Sequence, residues 1–179
     1  MTARVFDHRQ VWRLDPETFT EATSLLAHTA VRRVGPVDAV VGIARGGVEP
    51  ATAIATFLQV PSFTVSARHN VDDRLYRHAT GIVGIDLDPA LSLTGLRVLI
   101  VDDIVGTGAT LDTVRDALRT RAGATETYSA ALCRNAGSAV IPDLWIWTVR
   151  DWVTFPWERV APAPATTPLP FPRSARWHA

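Results

Sequence analysis

Two adjacent carboxylates, Asp102 and Asp103, stand just before a small polar turn, Gly106-Thr107-Gly108-Ala109-Thr110. The apolar run Val98-Leu99-Ile100-Val101 leads into the acids, and Leu111, Val114 and Leu118 share one face of the segment that follows. Strand, acids, turn and helix therefore arrive in register. Open α/β sheets bind ligands at the carboxyl ends of their strands. A Gly/Thr turn entering a helix presents backbone N–H groups and hydroxyls to an anion, with the helix dipole behind them. The turn reads as a phosphate cradle. Carboxylates beside such a cradle suit a sugar phosphate whose hydroxyls need acceptors. They also suit a transition state that develops positive charge. Two familiar phosphate loops do not fit. Leu111 stands where Gly-x-Gly-x-x-Gly needs its third glycine, and the chain has no lysine for Gly-Lys-Thr. The plain alternative is a strand-to-helix turn whose acids merely favour the bend.

A second candidate follows an earlier apolar run, in Val41-Gly42-Ile43-Ala44-Arg45-Gly46-Gly47. Taken alone, Arg-Gly-Gly is most often an ordinary turn. A third segment, residues 68–78, is polar and poorly periodic and reads as a long loop. It carries Arg68, Arg74 and Arg77, whose plain reading is solvated surface. With lysine absent, Schiff-base chemistry through lysine is excluded. Every cationic role falls to arginine, which stays charged and can grip phosphate bidentately.

Residues 98–111 resemble the signature of type I phosphoribosyltransferases that binds phosphoribosyl pyrophosphate (PRPP): a hydrophobic run, two acids, two variable residues and a Thr-Gly-containing turn. The resemblance implies that Asp102 and Asp103 hold the ribose hydroxyls, with or without a metal, and that Gly106, Thr107, Gly108, Ala109 and Thr110 hold the 5-phosphate. It implies a pyrophosphate loop at Ala44, Arg45, Gly46 and Gly47. Arg45 would supply positive charge as pyrophosphate leaves, and a non-proline cis peptide is expected at Ala44-Arg45. Residues 68–78 would be the flexible loop that closes over PRPP, with Arg68, Arg74 and Arg77 reaching for pyrophosphate.

The run from Arg150 to Glu158 is strongly aromatic and resembles the C-terminal hood of the xanthine- and guanine-type members. That likeness implies that Trp152 stacks on the base, while backbone near Val153 and the acid Glu158 read its edge. Arg134 stands where the family places a basic residue for the 6-oxo group, although lysine is usual there. Trp157 is expected in the core or at an interface. One departure matters. Most 6-oxopurine enzymes carry an aspartate two residues before the second glycine of the turn, and here that position is Gly106. The acceptor could thus be an atypical purine, or a base whose reacting nitrogen is already deprotonated.

The resemblance implies a transferase that moves ribose 5-phosphate from PRPP to a purine-like base, with xanthine, guanine or hypoxanthine favoured. Mg²⁺ would assist, and nucleotide and pyrophosphate would be the products. A regulator of the same fold without turnover, or a transferase for a non-purine base, is the alternative. Family habit suggests a homo-oligomer, with a dimer favoured.

The elements that must position these groups alternate. Helices are expected from Asp15-Pro16-Glu17 to about Arg33, over 48–58 and over about 109–121, and strands over 37–43, 61–65, 81–87, 96–101, 126–133 and 144–149. This pattern predicts an α/β fold, a parallel twisted sheet flanked by helices. Residues 1–160 would form the phosphoribosyltransferase domain, with a small hood over about 134–160 and a possible N-terminal contribution. The Pro-rich tail, 161–179, is expected to be extended or disordered and to bury little.

The chain's 179 residues suit one domain, and its zero formal charge argues against nucleic acid or anionic lipid as partner. No apolar run reaches the roughly 18 residues of a membrane span, and the first residues lack a signal-peptide core, so a cytoplasmic protein is expected. Cys133, the single cysteine, reads as a buried apolar residue.

Overall fold

The computed structural model describes residues 4–68, 84–158 and 165–178. Strand β1 (Val11–Arg13) precedes helix α1 (Pro16–Val34). Asp15 caps that helix, its Oδ1 accepting the Thr18 N–H at 2.9 Å, and Pro16 occupies the first turn, where its missing N–H is harmless. The buried face of α1 is Ala22, Leu26, Ala27, Ala30 and Val34, spaced by three and four residues. Gly35 ends it at φ 80°.

Strand β2 (Ala39–Ala44) leads through a short loop to α2 (Val48–Leu58), then β3 (Ser62–Arg68), β4 (Gly84–Asp86) and β5 (Arg97–Val105). After α3 (Ala109–Thr120) come β6 (Glu126–Asn135), β7 (Leu144–Val149), β8 (Trp152–Thr154), β9 (Thr167–Pro168) and β10 (Arg176–Trp177). The main sheet is seven-stranded, in the order β10-β7-β6-β5-β2-β3-β4. Its centre is parallel, and only the edge strands β4 and β10 run antiparallel.

Alternation along the central strands divides the core in two. Val40, Leu99 and Leu132 pack toward α1 and α2, while Val41, Ile43, Val98 and Ile100 pack toward α3. Strands buried on both faces read as continuous apolar runs, which is why β2 and β5 stand out in the sequence. The expected parallel sheet flanked by helices is thus present. No described helix is long and apolar enough to cross a membrane.

Several expectations need revision. Strand β5 does not stop at Val101: parallel pairing with β6 continues through Asp102, Ile104 and Val105, so both acids lie inside the strand. Arg68 belongs to β3 instead of a loop, because its backbone pairs with Gly84. Arg74, Arg77 and the rest of the expected loop lie outside the described residues, as do 81–83 of the expected fourth strand.

A small parallel sheet, β8-β1-β9, joins three distant segments: an N-terminal strand, the hood and the tail. The tail is extended, and it buries more than its composition suggested. Leu169 is 3% exposed, and Trp147 donates its indole N–H to the Pro170 carbonyl at 3.0 Å. Trp177 pairs with Leu144 on β7 and packs against the core.

Candidate active site

The site grows from the carboxyl end of β5. Asp103 donates its N–H to Asp102 Oδ1 at 3.0 Å, and Ile104 donates its N–H to Asp103 Oδ1 at 2.6 Å. Each carboxylate is thereby held by the backbone of the residue after it. Asp103 is buried and Asp102 half-buried. Burial, with the Asp103 charge second, pushes the Asp102 carboxyl well above the usual range. Burial raises Asp103 too, opposed by the Ile104 N–H, Asp102, Arg4 and the Trp157 indole. The pair resists holding two negative charges until something positive joins it.

The Arg45-Gly46-Gly47 loop meets this pair from β2. The Ala44-Arg45 peptide is cis. Gly46 abuts Asp103 so closely that a Cβ there would overlap the carboxylate. A Cβ on Gly47 would come within 2.8 Å of the Ile43 backbone, while Gly47 donates to the Ile43 carbonyl at 2.8 Å and accepts from Ala51 at 3.0 Å. Both glycines are therefore needed for close approach: one to the acid, the other to the strand it leaves.

The turn 106–110 enters α3 with Gly108 at the N-cap in the left-handed region, φ 94°, where it offers no side chain to cap the helix. A Cβ at Gly108 would strike Val140. Ala109 donates its N–H to Thr107 Oγ1 at 3.4 Å and Asp112 to the Gly108 carbonyl at 3.1 Å, and the positive end of the helix dipole lies at this turn.

The residues expected at the base are placed as follows. Trp152 and Val153 lie on β8, with the Val153 side chain buried and its backbone paired to Trp12. Trp152 stacks on Phe6 at 6.3 Å and 30°. Glu158 Oε2 accepts the Phe155 N–H at 3.1 Å, closing its own turn. Arg134, on β6, donates to the Ser138 carbonyl at 3.0 Å and lies over the Trp145 ring at 5.9 Å.

Two participants escaped sequence reasoning. Arg4 lies against Gly106, and its charge reaches both acids. Trp157 stacks on Phe155 at 5.2 Å, meets Phe19 edge-on at 5.4 Å, and lowers the Asp103 pKa without making a regular hydrogen bond. The core role expected of Trp157 is present, but its link to the acid is additional. The nearby Trp-Glu sequence gives no signal for it, and nothing around Arg4 marks that residue.

The acid pair, the double-glycine loop and the Gly/Thr turn thus share one edge of the sheet, and a model of the phosphoribosyl transferase domain matches residues 22–160. The chain belongs to the phosphoribosyltransferase family. Among curated relatives, ribose-phosphate pyrophosphokinase 1 of Streptococcus pyogenes serotype M3 is 32% identical over 97 residues, which are 54% of this chain and 28% of that protein. This chain therefore spans just over a quarter of the length of those pyrophosphokinases. The hypoxanthine/guanine phosphoribosyltransferase of Methanothermobacter marburgensis is 30% identical over 151 residues, 77% of this chain and 75% of the relative. The structure of a purine phosphoribosyltransferase from Pyrococcus horikoshii Ot3 superposes with a TM-score of 0.71 at 27% identity, covering 87% of this chain and 99% of that one. The fold is the type I phosphoribosyltransferase fold, and its likeness extends to members of purine type.

Proposed function

We propose that this protein transfers ribose 5-phosphate from PRPP to a purine-like base, xanthine, guanine or hypoxanthine being favoured, with release of pyrophosphate. The observation that carries the reading is the contact between Gly46 and Asp103. It joins a loop suited to pyrophosphate to an acid pair suited to ribose, and the phosphate turn continues the same strand.

In this reading the 5-phosphate sits on the 106–110 turn and Asp102 and Asp103 receive the ribose hydroxyls. Pyrophosphate lies along Ala44, Arg45, Gly46 and Gly47. The nitrogen lone pair of the base forms the bond to C1 as the C1–O bond to pyrophosphate breaks. The electron pair leaves on pyrophosphate, toward the Arg45 guanidinium. The acids stabilise the positive charge that builds on the ribose. Trp152, Val153, Glu158 and Arg134 surround the base in this scheme, and Arg68, the last residue of β3, leads into the segment whose Arg74 and Arg77 would reach for pyrophosphate.

Mg²⁺ fits the donor set: Asp102 and Asp103 are hard oxygen ligands, and this ion commonly takes one or two carboxylates together with substrate phosphates. When bound it would supply Lewis-acid stabilisation of the leaving pyrophosphate.

The test is pyrophosphate release from PRPP and Mg²⁺ with xanthine, guanine, hypoxanthine, adenine, orotate and uracil offered in turn. Release with a purine is the expected result. Measurable PRPP binding with no release for any base would contradict turnover.

A further inference from the structure

The N-terminal arm is fastened to the same edge of the sheet. Val5 donates its N–H to Asn135 Oδ1 at 2.9 Å and accepts from Asn135 Nδ2 at 3.0 Å. Asn135 is 1% exposed. Asp7 donates its N–H to the Arg150 carbonyl at 2.9 Å, and its carboxylate meets Arg150 Nε at 3.0 Å. These bonds fix the arm on both sides, and between them Phe6 stacks on Trp152.

What the arm delivers is Arg4. Its guanidinium occupies the space a side chain at position 106 would need: a Cβ on Gly106 would overlap Nε, Cζ and Nη2 of Arg4. Arg4 Nε is buried, and among the described residues it has no hydrogen-bond partner. A buried guanidinium N–H without a partner is costly, and a ligand anion would relieve the cost.

Most of the acids at this edge are engaged by backbone N–H groups, and Asp151 keeps one buried oxygen, Oδ1, without a hydrogen-bond partner among the described residues. Asp102 and Asp103 accept from the backbone of their own strand, Glu158 from Phe155, and Asp151 from the Arg9 N–H at 3.3 Å. No carboxylate stands at position 106, beside the turn, to take a proton. An acceptor that enters as a neutral N–H heterocycle must lose that proton as the bond to C1 forms. An acceptor whose nitrogen is already deprotonated needs no such group, and a guanidinium favours it.

We propose that Arg4 is a specificity-determining residue and that the acceptor is a planar heterocycle reacting as its anion. The inference rests on the phosphoribosyl-transfer reading above. The anionic nitrogen forms the bond to C1, the C1–O bond to pyrophosphate breaks with its electron pair leaving on oxygen, and no proton is transferred. The same cation could instead serve the 5-phosphate on the adjoining turn, and the experiment separates the two.

The experiment compares the wild type with Arg4→Ala, Arg4→Lys and Gly106→Asp. Pyrophosphate release gives kcat/KM for 8-azahypoxanthine, at a pH where its triazole ring is deprotonated, and for hypoxanthine, neutral at the same pH. Calorimetry with Mg²⁺ gives the PRPP Kd. Thermal unfolding checks that each variant is folded. The wild type should prefer the anion. Arg4→Ala should lose about 10- to 100-fold in kcat/KM for the anion, the range expected for one charged hydrogen bond. It should change the neutral base far less and leave the PRPP Kd alone. Arg4→Lys should recover part of the loss, and Gly106→Asp, which evicts the guanidinium, should shift preference toward the neutral base. A wild type that prefers the neutral base overturns the inference. So does an equal loss for both bases, or a weakened PRPP Kd in Arg4→Ala, which would assign the residue to phosphate. If the wild type binds PRPP but turns over no base at all, the transfer reading itself falls, and this inference with it.

Discussion

The α-carbon of Gly46 lies against the carboxylate of Asp103, leaving no room for a Cβ between the loop after β2 and the acid at the end of β5. Any side chain at 46 must turn that carboxylate away, and with it the hydrogen bond that Ile104 donates. Gly46→Ala is therefore expected to lower kcat/KM by about 100-fold, which corresponds to about 3 kcal/mol of transition-state stabilisation. The overpacking should cost about 1–3 kcal/mol of stability. Steady-state pyrophosphate release and denaturant unfolding measure the two. Near-normal turnover would show that the loop and the acid do not act together.

Asp102 should oppose folding and favour catalysis. Its folded-state pKa is raised by burial and by Asp103, above the unfolded value of about 3.9. Between the two values the folded state binds the extra proton. Stability therefore falls as pH rises through that window, and the penalty is complete above it. Asp102→Asn keeps an oxygen for the Asp103 N–H and removes the charge. In ligand-free protein with chelator, its Tm should match the wild type at low pH and exceed it at neutral pH, while transfer drops by several orders of magnitude. A Tm at neutral pH below that of the wild type would contradict the sign, and a transfer rate near the wild type's would contradict the catalytic role.

Cys133 is fully buried on β6, and its thiol is pushed up strongly by burial and then by the Asp103 charge. The thiolate is the form that alkylating agents attack. Iodoacetamide should label Cys133 only at the rate of global unfolding, measured by mass spectrometry beside unfolding kinetics. Labelling that outruns unfolding would mean the strand opens locally.

The candidate site was legible where it is written in consecutive residues. Asp102 to Thr110 combines acids, glycines and hydroxyls in one segment, and Arg45-Gly46-Gly47 follows an apolar strand that announces itself. What sequence could not give was set by partners far along the chain. The end of β5 depends on how far β6 continues beside it, which no apolar pattern in β5 reports. Strands β1 and β8 are too short to show a period of two. Arg4 belongs to a non-periodic arm, and only the fold brings it to Gly106. The tail misled for a physical reason: proline cannot donate to a ladder, so a Pro-rich run reads against strand. Yet Pro168 is on β9, at the edge of the small sheet, where a missing N–H is tolerated.

That tail offers a test of its own. Leu169 donates its N–H to the Arg13 carbonyl at 2.9 Å and is 3% exposed, and the next residue accepts the Trp147 indole N–H at 3.0 Å. A segment that carries a buried leucine and satisfies a core tryptophan is part of the folded unit. Leu169→Ala should cost about 2–5 kcal/mol, read by denaturant unfolding. Removing residues 165–179 should cost at least as much and move Trp147 emission to longer wavelength as its ring meets water. The KM for PRPP should stay near the wild-type value in Leu169→Ala, because the leucine packs in the core cluster that α1 covers, separate from the cluster that α3 covers. If the truncated chain keeps both its stability and its emission, the tail does not pack as described. A raised KM would instead tie the small sheet to substrate binding.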